Sequence, residues 1–259
     1  MQSALDFSGK VVIVTGGGKG VGKGISERFL EAGADVAICG RSEPESLPTA
    51  NGRTAFYRAL DVRDPDAVQA FVSEVAEHFG RIDVLVNNAG GAPFADAATA
   101  SPRFSESIVR LNLLAPLFFA QACNAVMQQQ QSGGSIVNIA SVSAQRPSPG
   151  TAAYGAAKAG LMSLGTSLAV EWAPKVRCNT IIAGLIRTEQ SHLHYGDEEG
   201  IAAVGRTIPL GRMAVPQDIA DACLFLASDM ASYISGASLT VHGGGEKPAF
   251  LDAANVDQK

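Results

Sequence analysis

The sequence predicts an α/β protein built on a doubly wound parallel sheet of about seven strands, with helices on both faces. Short apolar runs, typical of strands that are buried on both sides, alternate with longer amphipathic segments along almost the whole chain. No low-complexity linker interrupts this alternation, and 259 residues are enough for a large hydrophobic core. We therefore expect one domain over residues 1–259, with its core from about residue 10 to residue 245.

The individual elements follow from where apolar and β-branched residues cluster. Strands are expected at Val11–Val14, Val36–Cys39, Ala55–Leu60, Val84–Val86, Ser135–Ile139, Val176–Ile181 and Leu239–Val241. Helices are expected near residues 20–32, 65–79, 102–130, 151–173 and 216–228. Residues 185–210 lack a clean strand period and are long enough to form a lid over a site.

Composition narrows the functional classes. The formal net charge is −5, so no overall positive field attracts nucleic acid or an anionic membrane. The longest apolar region, Leu111 to Met127, contains several polar residues and follows Arg110, which favours a buried helix over a membrane span. The first ten residues have no basic stretch followed by an apolar core, so we expect no secretory signal.

Cysteine spacing indicates the compartment. The four cysteines are far apart in the sequence and form no Cys-x-x-Cys pair. Their positions are Cys39, Cys123, Cys178 and Cys223. Most of them lie in apolar segments, so we expect buried free thiols and a cytoplasmic protein.

A glycine-rich turn follows the first predicted strand and leads directly into the first predicted helix. Its sequence is Thr15-Gly16-Gly17-Gly18-Lys19-Gly20-Val21-Gly22. Glycines let the backbone approach a pyrophosphate, whose charge meets the free N–H groups at a helix start. The spacing is Gly-x-x-x-Gly-x-Gly, and no Gly-Lys-Ser/Thr ends the turn, which excludes a Walker phosphate loop. The turn predicts a dinucleotide site; a tight turn without a ligand is the alternative.

The end of the second predicted strand indicates which dinucleotide is bound. Enzymes that select NAD usually have an acidic residue there for the ribose 2′-hydroxyl. This chain has Gly40 followed by Arg41 and Ser42, and Arg41 can bind a 2′-phosphate through several donors. Lys19 adds a second positive charge. The sequence therefore favours NADP(H); NAD(H), with both cations as solvated surface charges, is the alternative.

Tyr154 and Lys158 stand four residues apart in a predicted helix, and Ser141 precedes Tyr154 by thirteen residues. Residues four apart lie on the same helix face. An ammonium group beside a phenol, whose ordinary pKa is about 10, favours the phenolate and lowers that pKa. We therefore expect Lys158 to bring the pKa of Tyr154 into the range for general acid/base catalysis. An ordinary helical tyrosine and lysine without a catalytic role is the alternative.

Together these residues resemble the short-chain dehydrogenase/reductase family, especially its 3-oxoacyl reductase-like members. The resemblance runs from about residue 10 to residue 245, and short motifs occur in the family's order: Thr15–Gly22, Asp61-Val62, Asn87–Gly90, Leu111–Leu113, and Asn138–Ser141 with Tyr154 and Lys158. It implies a Rossmann-type fold and hydride transfer between a nicotinamide dinucleotide and a small carbonyl or secondary alcohol substrate. It also implies a homotetramer assembled through the helices near 102–130 and 151–173 and the last helix and strand.

The resemblance assigns a role to each matching residue. Ser141 binds the carbonyl oxygen, Tyr154 moves the proton, Lys158 assists the tyrosine and binds the nicotinamide ribose, and Asn112 holds a water. Ser141 is preferred over Ser143 because the family's serine-to-tyrosine spacing is thirteen. The expected dinucleotide contacts are Gly16, Gly18, Lys19, Gly20, Val21, Arg41, Ser42, Asp61, Val62, Asn88, Ala89, Gly90, Tyr154, Lys158, Gly184, Ile186 and Thr188. Without the family, Asp61 would be a helix cap and Asn112 a buried, satisfied polar residue.

The chain departs from the family pattern at two points. Ala183-Gly184 stands where the family often has Pro-Gly, and His242 stands where an aspartate is common. His242 is expected at an interface or behind the site. His192 and His194 have the spacing of a metal-binding pair but lack a third ligand, so no metal is predicted.

The substrate is not determined by these patterns, because the fold does not specify it. The expected pocket walls are Gln145, Arg146 and residues 185–208. An NAD-dependent dehydrogenase of steroid, sugar or hydroxyacyl-thioester alcohols is a rival function. A nucleotide-sensing protein without turnover is a further rival, although it would not need Ser141, Tyr154 and Lys158.

Overall fold

A computed structural model describes residues 5–253. The expectation of no secretory signal and the ends of the predicted domain fall partly on residues 1–4 and 254–259, outside the described residues. The strands are β1 (Val11–Thr15), β2 (Asp35–Gly40), β3 (Thr49–Ala50), β4 (Arg53–Thr54), β5 (Phe56–Ala59), β6 (Val84–Asn87), β7 (Gly134–Ser141), β8 (Val176–Ala183) and β9 (Ser238–Val241).

Seven of these strands form one parallel sheet in the order β5-β2-β1-β6-β7-β8-β9. The predicted doubly wound, Rossmann-type fold is therefore confirmed. The strands β3 and β4 pair separately as a short antiparallel hairpin that the sequence analysis does not predict.

The chain leaves β1 first toward β2 and β5, and then crosses to β6 and the strands beyond it. In an open parallel sheet, the point where the strand order reverses leaves a crevice at the carboxyl ends of the strands. Here that crevice lies between the carboxyl ends of β1 and β6, next to the glycine turn that follows β1.

The helices are α1 (Gly20–Glu31), α2 (Pro65–Phe79), α3 (Pro102–Val109), α4 (Ala115–Met127), α5 (Ala152–Glu171), α6 (His192–Tyr195), α7 (Glu198–Thr207), α8 (Pro216–Ala227) and α9 (Phe250–Ala253). Single turns of 3₁₀-helix cover Val142–Ala144 and Asp229–Ala231. The predicted lid over 185–210 is thus not an irregular loop, since it contains α6 and α7. Ile201, Ile208 and Met213 are buried together there, packed against Leu185 and Tyr195.

The sheet separates two apolar layers. Val12 and Val14 of β1 pack with the side chains of α1 and α8, whereas Val11 and Ile13 pack on the other face with those of α2 and α4. Successive strand residues point to opposite faces, so a strand covered on both sides must be continuously apolar. The four cysteines are free and buried as expected, and burial raises the pKa of the Cys39 thiol to about 12.

The predicted helix over 102–130 is interrupted by a π-helical turn over Arg110–Leu114 and ends at Met127. Pro116 explains much of the break, because it has no N–H to donate to the carbonyl of Asn112 four residues earlier. The stretch Pro102–Met127, with a mean hydropathy of 1.3 over its most apolar part, is long and apolar enough to span a membrane. Phe119 and Cys123 are nevertheless fully buried against the sheet, as in the core helix of a globular domain.

Candidate active site

The groups with catalytic chemistry meet at the carboxyl end of β7 and the first turns of α5. Ser141 is the last residue of β7, and Tyr154 lies in the first turn of α5. The two side chains are close enough for Ser141 to lower the pKa of Tyr154. Ser143 contributes only its backbone N–H, which donates to Ser141 Oγ at 3.2 Å and fixes the position of that oxygen.

Lys158 lies one helical turn after Tyr154 and is only 3% exposed. Its Nζ donates to the carbonyl oxygen of Ile139 at 2.7 Å and lies 5.7 Å from the centre of the Tyr154 ring. Burial disfavours the charged form and lowers the pKa of Lys158 to about 8. The ammonium group is therefore tied to β7 and still carries its charge at neutral pH, although burial makes that charge less favourable than on an exposed lysine.

The predicted lowering of the Tyr154 pKa by Lys158 is wrong in this structure. Burial raises the pKa of Tyr154 above its ordinary value, Ser141 opposes the rise, and the nearby Tyr195 adds to it. The lysine does not offset the effect of burial, and its nitrogen donates instead to the carbonyl oxygen of Ile139. Tyr154 is thus held as the neutral phenol, the form that can donate a proton.

Asn112 occupies the π-helical turn and is completely buried. Its Nδ2 donates to the carbonyl oxygens of Gly91 and Ile108, both at 2.9 Å, and its Oδ1 accepts from Gly91 N at 2.9 Å. A Cβ on Gly90 would lie 2.6 Å from Asn112 Oδ1 and 3.1 Å from Lys158 Nζ, so all three residues are close together. The side chain of Asn112 therefore holds the loop after β6 against the helix that follows it.

The glycine turn is held open by groups from β1 and the end of β6. Thr15 Oγ1 accepts from the backbone N–H groups of Asn88 at 3.0 Å and Ala89 at 2.9 Å. Asn88 Nδ2 donates back to Thr15 O at 2.9 Å. Gly16 and Gly20 have φ values of +63° and +49°, in the left-handed region that favours glycine.

An acidic side chain occupies the start of α1. Glu189 Oε1 accepts from Gly20 N at 3.0 Å, although α1 has no side-chain cap of its own and no acidic residue in its first turn. The N–H of Gly20 is thus directed at an anionic oxygen, the kind of group that a helix start binds. The residues of the turn therefore fit the pyrophosphate of a dinucleotide.

A cavity of about 550 Å³ runs along the carboxyl ends of the strands from Arg41 to Tyr154. All of the predicted dinucleotide contacts line it except Gly18 and Ser42. Gly18 faces an adjoining cavity beside Pro44, which a Cβ on Gly18 would contact at 3.1 Å. Gly184 has no room for a side chain, because a Cβ there would lie 2.7 Å from His242 Cα.

Positively and negatively charged side chains both lie at the end of this cavity away from Tyr154. Asp61 does not cap α2, whose cap is Asp64. It binds Arg63 at 2.6 Å, and hydrogen bonds from Arg63 lower the pKa of Asp61 to about 2. Arg41 is exposed and close enough to lower that pKa further. Glu43 is also near, since it raises the pKa of Tyr57 in addition to burial.

Sequence patterns miss Arg63 in this cavity, and they include Glu189 and Gln190 only within the expected pocket wall of residues 185–208, without a role for either. Arg63 has a local signal, namely an opposite charge two residues after Asp61. Glu189 has no local sequence signal for its contact, because its partner Gly20 is 169 residues away.

A second cavity of about 230 Å³ adjoins the first at Gly184. The predicted pocket residues Gln145 and Arg146 line it, together with His242 and Glu246. His192 and His194 lie elsewhere on the lid, and His192 Nδ1 is 3.0 Å from the carbonyl oxygen of Glu189. Among residues 5–253, no three His, Cys, Asp or Glu side chains form a cluster that could hold a metal ion.

Comparison with known proteins yields a consistent result. A family model described as Enoyl-(Acyl carrier protein) reductase matches residues 16–246. An L-rhamnose 1-dehydrogenase (NAD(P)(+)) of Sphingomonas sp. (strain SKA58) is 37% identical over 245 residues, covering 92% of this chain and 96% of that protein. A 3-oxoacyl-[acyl-carrier-protein] reductase of Chlamydia pneumoniae is 38% identical over 249 residues, covering 93% and 98%.

A solved structure agrees with these relatives. The ligand-free aldohexose dehydrogenase of Thermoplasma acidophilum has a TM-score of 0.86 and 31% identity to this chain, and the similarity covers 100% of both chains. With a family model matched over most of its length and relatives above 30% identity along nearly all of it, the chain belongs to the short-chain dehydrogenase/reductase family and is an oxidoreductase of alcohol or carbonyl groups that uses an NAD(P)-type cofactor.

Proposed function

We propose that the protein transfers a hydride between NADP(H) and a carbonyl or secondary alcohol, with Asn112, Ser141, Tyr154 and Lys158 as its catalytic tetrad. One observation carries this proposal. Ser141, Tyr154 and Lys158 line the same cavity as the glycine turn. A dinucleotide whose phosphates bind at Gly20 would extend along this cavity toward the two hydroxyl groups.

The protein residues control the proton. A bound nicotinamide dinucleotide supplies the hydride in reduction and accepts it in oxidation. Ser141 Oγ donates a hydrogen bond to the carbonyl oxygen, where negative charge develops. Tyr154 gives its phenolic proton to the same oxygen, completing the alcohol, and takes that proton back in the oxidative direction. The raised pKa of Tyr154 keeps the proton in place for reduction at neutral pH.

The choice of NADP(H) rests on Arg41. It lines the cavity directly after β2, and Gly40, the last residue of β2, has no carboxylate that would repel a ribose 2′-phosphate. Glu43 is the observation that favours the second candidate, an NAD-dependent dehydrogenase, because its negative charge lies on the same segment. Arg41→Ala is expected to weaken NADPH binding by about 10- to 100-fold and NADH binding much less. Equal losses for both nucleotides, measured by fluorescence titration, would favour NAD.

Relatives indicate two substrate classes. One is named an L-rhamnose 1-dehydrogenase and another a 3-oxoacyl-[acyl-carrier-protein] reductase. Sugar alcohols and 3-oxoacyl thioesters are therefore both candidates for this site. A cytoplasmic location is supported by the buried free thiols. A homotetramer is supported by apolar side chains exposed on α5 and β9, Val170 (80%) and Leu239 (36%).

Hydride transfer itself is tested by the absorbance of the reduced nicotinamide with a panel of ketones and alcohols and both nucleotides. We expect turnover in the wild type and a loss of at least about 1,000-fold in Tyr154→Phe, with nucleotide affinity nearly unchanged. Near-normal turnover in Tyr154→Phe would reject the assigned proton donor. A wild type that binds nucleotide but reduces no carbonyl would support a nucleotide-sensing role instead.

A further inference from the structure

The second cavity lies directly beside the reacting groups. It shares Gly184 with the dinucleotide cavity, and its wall includes Val142, the residue after Ser141. A carbonyl carbon held against Ser141 and Tyr154 would therefore present the rest of its molecule to this space. Its volume of about 230 Å³ suits a small molecule.

An ion pair closes one side of this cavity. Arg146 Nη2 donates to Glu246 Oε1 at 2.6 Å, across 100 residues of sequence. The side chains of Arg146 and Glu246 are 36% and 40% exposed, and ion pairs that are this exposed contribute little to folding stability. Stability alone therefore gives no strong reason for the pair.

The guanidinium group of Arg146 is not fully used by the protein. Its Nη1 donates to the carbonyl oxygen of Pro147 at 3.1 Å. Its Nε is buried and has no hydrogen-bond partner among residues 5–253. Buried polar atoms are rarely left without a partner, so this donor indicates that the pair rearranges or gains a partner.

Tyr195 connects the ion pair electrostatically with the catalytic tyrosine. It ends α6 and is half-buried. Burial raises its pKa, and it is close enough to Arg146 and Glu246 to feel both charges. It also influences Tyr154. Arg146 and Glu246, from the loop after β7 and the segment after β9, line the second cavity, and Tyr195 of α6 packs on the apolar cluster that contains the wall residue Ile208.

We propose that Arg146 and Glu246, assisted by Tyr195, make this enzyme specific for a small, neutral, polyhydroxylated substrate, that is, a sugar or polyol. A guanidinium group only donates hydrogen bonds and a carboxylate only accepts them. Neighbouring hydroxyl groups do both, so a vicinal diol can bind the two charges at once. This inference rests on the proposed hydride transfer and names its substrate class.

Other substrate classes fit the pair less well. A sugar acid would gain Arg146 but would bring its carboxylate beside Glu246, and like charges repel. An acyl chain would cover both charges without supplying partners, and desolvated polar groups left unpaired strongly disfavour binding. A neutral substrate with several hydroxyl groups avoids both penalties.

The experiment compares four ketones at matched concentrations with the reduced form of the preferred nucleotide: the ketose erythrulose, 5-ketogluconate, acetoacetyl-CoA and cyclohexanone. We expect the highest kcat/KM for erythrulose, the polyhydroxylated neutral substrate. Glu246→Gln and Arg146→Met should each lower that value by about 10- to 100-fold, the loss expected when a hydrogen bond to a charged group is removed. Both variants should change kcat/KM for cyclohexanone, which has no hydroxyl groups, by less than about threefold.

Glu74→Gln is the matched control, because it removes a glutamate from another ion pair, with Arg58, far from both cavities. It should leave all four substrates unaffected. The inference is overturned if acetoacetyl-CoA or 5-ketogluconate has the highest kcat/KM, or if Glu246→Gln leaves erythrulose turnover intact. Turnover of cyclohexanone without erythrulose turnover overturns the substrate class while supporting hydride transfer. No turnover of any substrate overturns both.

Discussion

At the scale of single residues, Lys158 shows how the site compromises between folding and function. An ammonium group buried to this degree is unfavourable unless it is well paired, and here its described hydrogen bond goes to a backbone carbonyl. The lowering of its pKa from 10.5 to about 8 corresponds to about 3 kcal/mol at neutral pH. The lysine therefore destabilises the fold in a position beside Tyr154 on the wall of the first cavity, where the proposed function requires it.

Lys158→Met is expected to abolish turnover and to raise the free energy of unfolding by about 2 kcal/mol at pH 7, because methionine carries no charge to bury. The folded-state pKa is depressed, so the penalty is complete below about pH 8 and is relieved as the pH rises toward 10.5. In urea titrations, the extra free energy of unfolding of Lys158→Met relative to the wild type should therefore decrease between about pH 8 and pH 10.5. Lys175→Met, which removes a similar bond from an exposed lysine to Gln128 O, should give no gain. A destabilised Lys158→Met protein would contradict this account.

Glu189 is a second residue whose charge has a measurable effect. Its carboxylate and a cofactor phosphate would compete for the same Gly20 N–H. Glu189→Gln keeps an acceptor for this N–H but removes the negative charge, so we expect dinucleotide affinity to rise by about 3- to 10-fold. Glu198→Gln removes the same charge from an exposed position in the lid and should have no effect. Weaker binding in Glu189→Gln would show that the carboxylate supports the turn rather than competing with phosphate.

At the scale of elements, the junction of β1, the glycine turn and α1 depends on close backbone contacts. Gly22 is buried in the first turn of α1, where a Cβ would overlap the carbonyl oxygen of Gly16 and lie 2.5 Å from Asn88 Nδ2. Both neighbours also hold the turn in its binding shape. The turn and the helix therefore fit together only if this position has no side chain.

Gly22→Ala is expected to lower the free energy of unfolding by about 1–3 kcal/mol, since crowding of a packed site has effects of this size. It should also weaken dinucleotide binding by more than about tenfold, because the N–H groups of the turn move. Thermal unfolding and nucleotide titration measure the two effects. Glu31→Ala at the exposed end of α1 is the control. Normal nucleotide affinity in Gly22→Ala would show that the turn tolerates a side chain.

The sequence predicts those elements whose signals are local. A strand buried on both faces must be largely apolar, so β1, with the sequence Val-Val-Ile-Val-Thr, is recognisable on its own, as are the glycine turn and the spacing of Tyr154 and Lys158. The π-helical turn is hidden, because the break at Pro116 lies inside a continuous apolar pattern. Glu189 and Glu246 are hidden for another reason, since each meets its partner only after the chain folds across 100 residues or more.

The pKa of Tyr154 is mispredicted for a related reason. Sequence spacing places Lys158 on the correct helix face, but it contains no information about burial. Burial depends on how α5 packs against β7 and the loop after β6, and it dominates both titrating groups. Local patterns therefore identify the chemical groups of the site, whereas their electrostatics require the packed structure.

At the scale of the whole molecule, the sheet brings chain segments from both halves of the sequence to one edge. The glycine turn comes from its start, Ser141 and Tyr154 from its middle, and Gly184 and His242 from its later part. No smaller fragment of the described chain holds the full site. The site is therefore a property of the complete sheet.

Gly184 lines both cavities and, as a glycine, places no side chain between them. A dinucleotide in the first cavity and a substrate in the second would therefore be in direct contact, with no protein group between them that could accept the hydride first. Both must be bound at the same time for the reaction to occur. Double-reciprocal plots at several fixed concentrations of the second reactant should intersect, and parallel lines would mean that this arrangement of the two cavities has been misjudged.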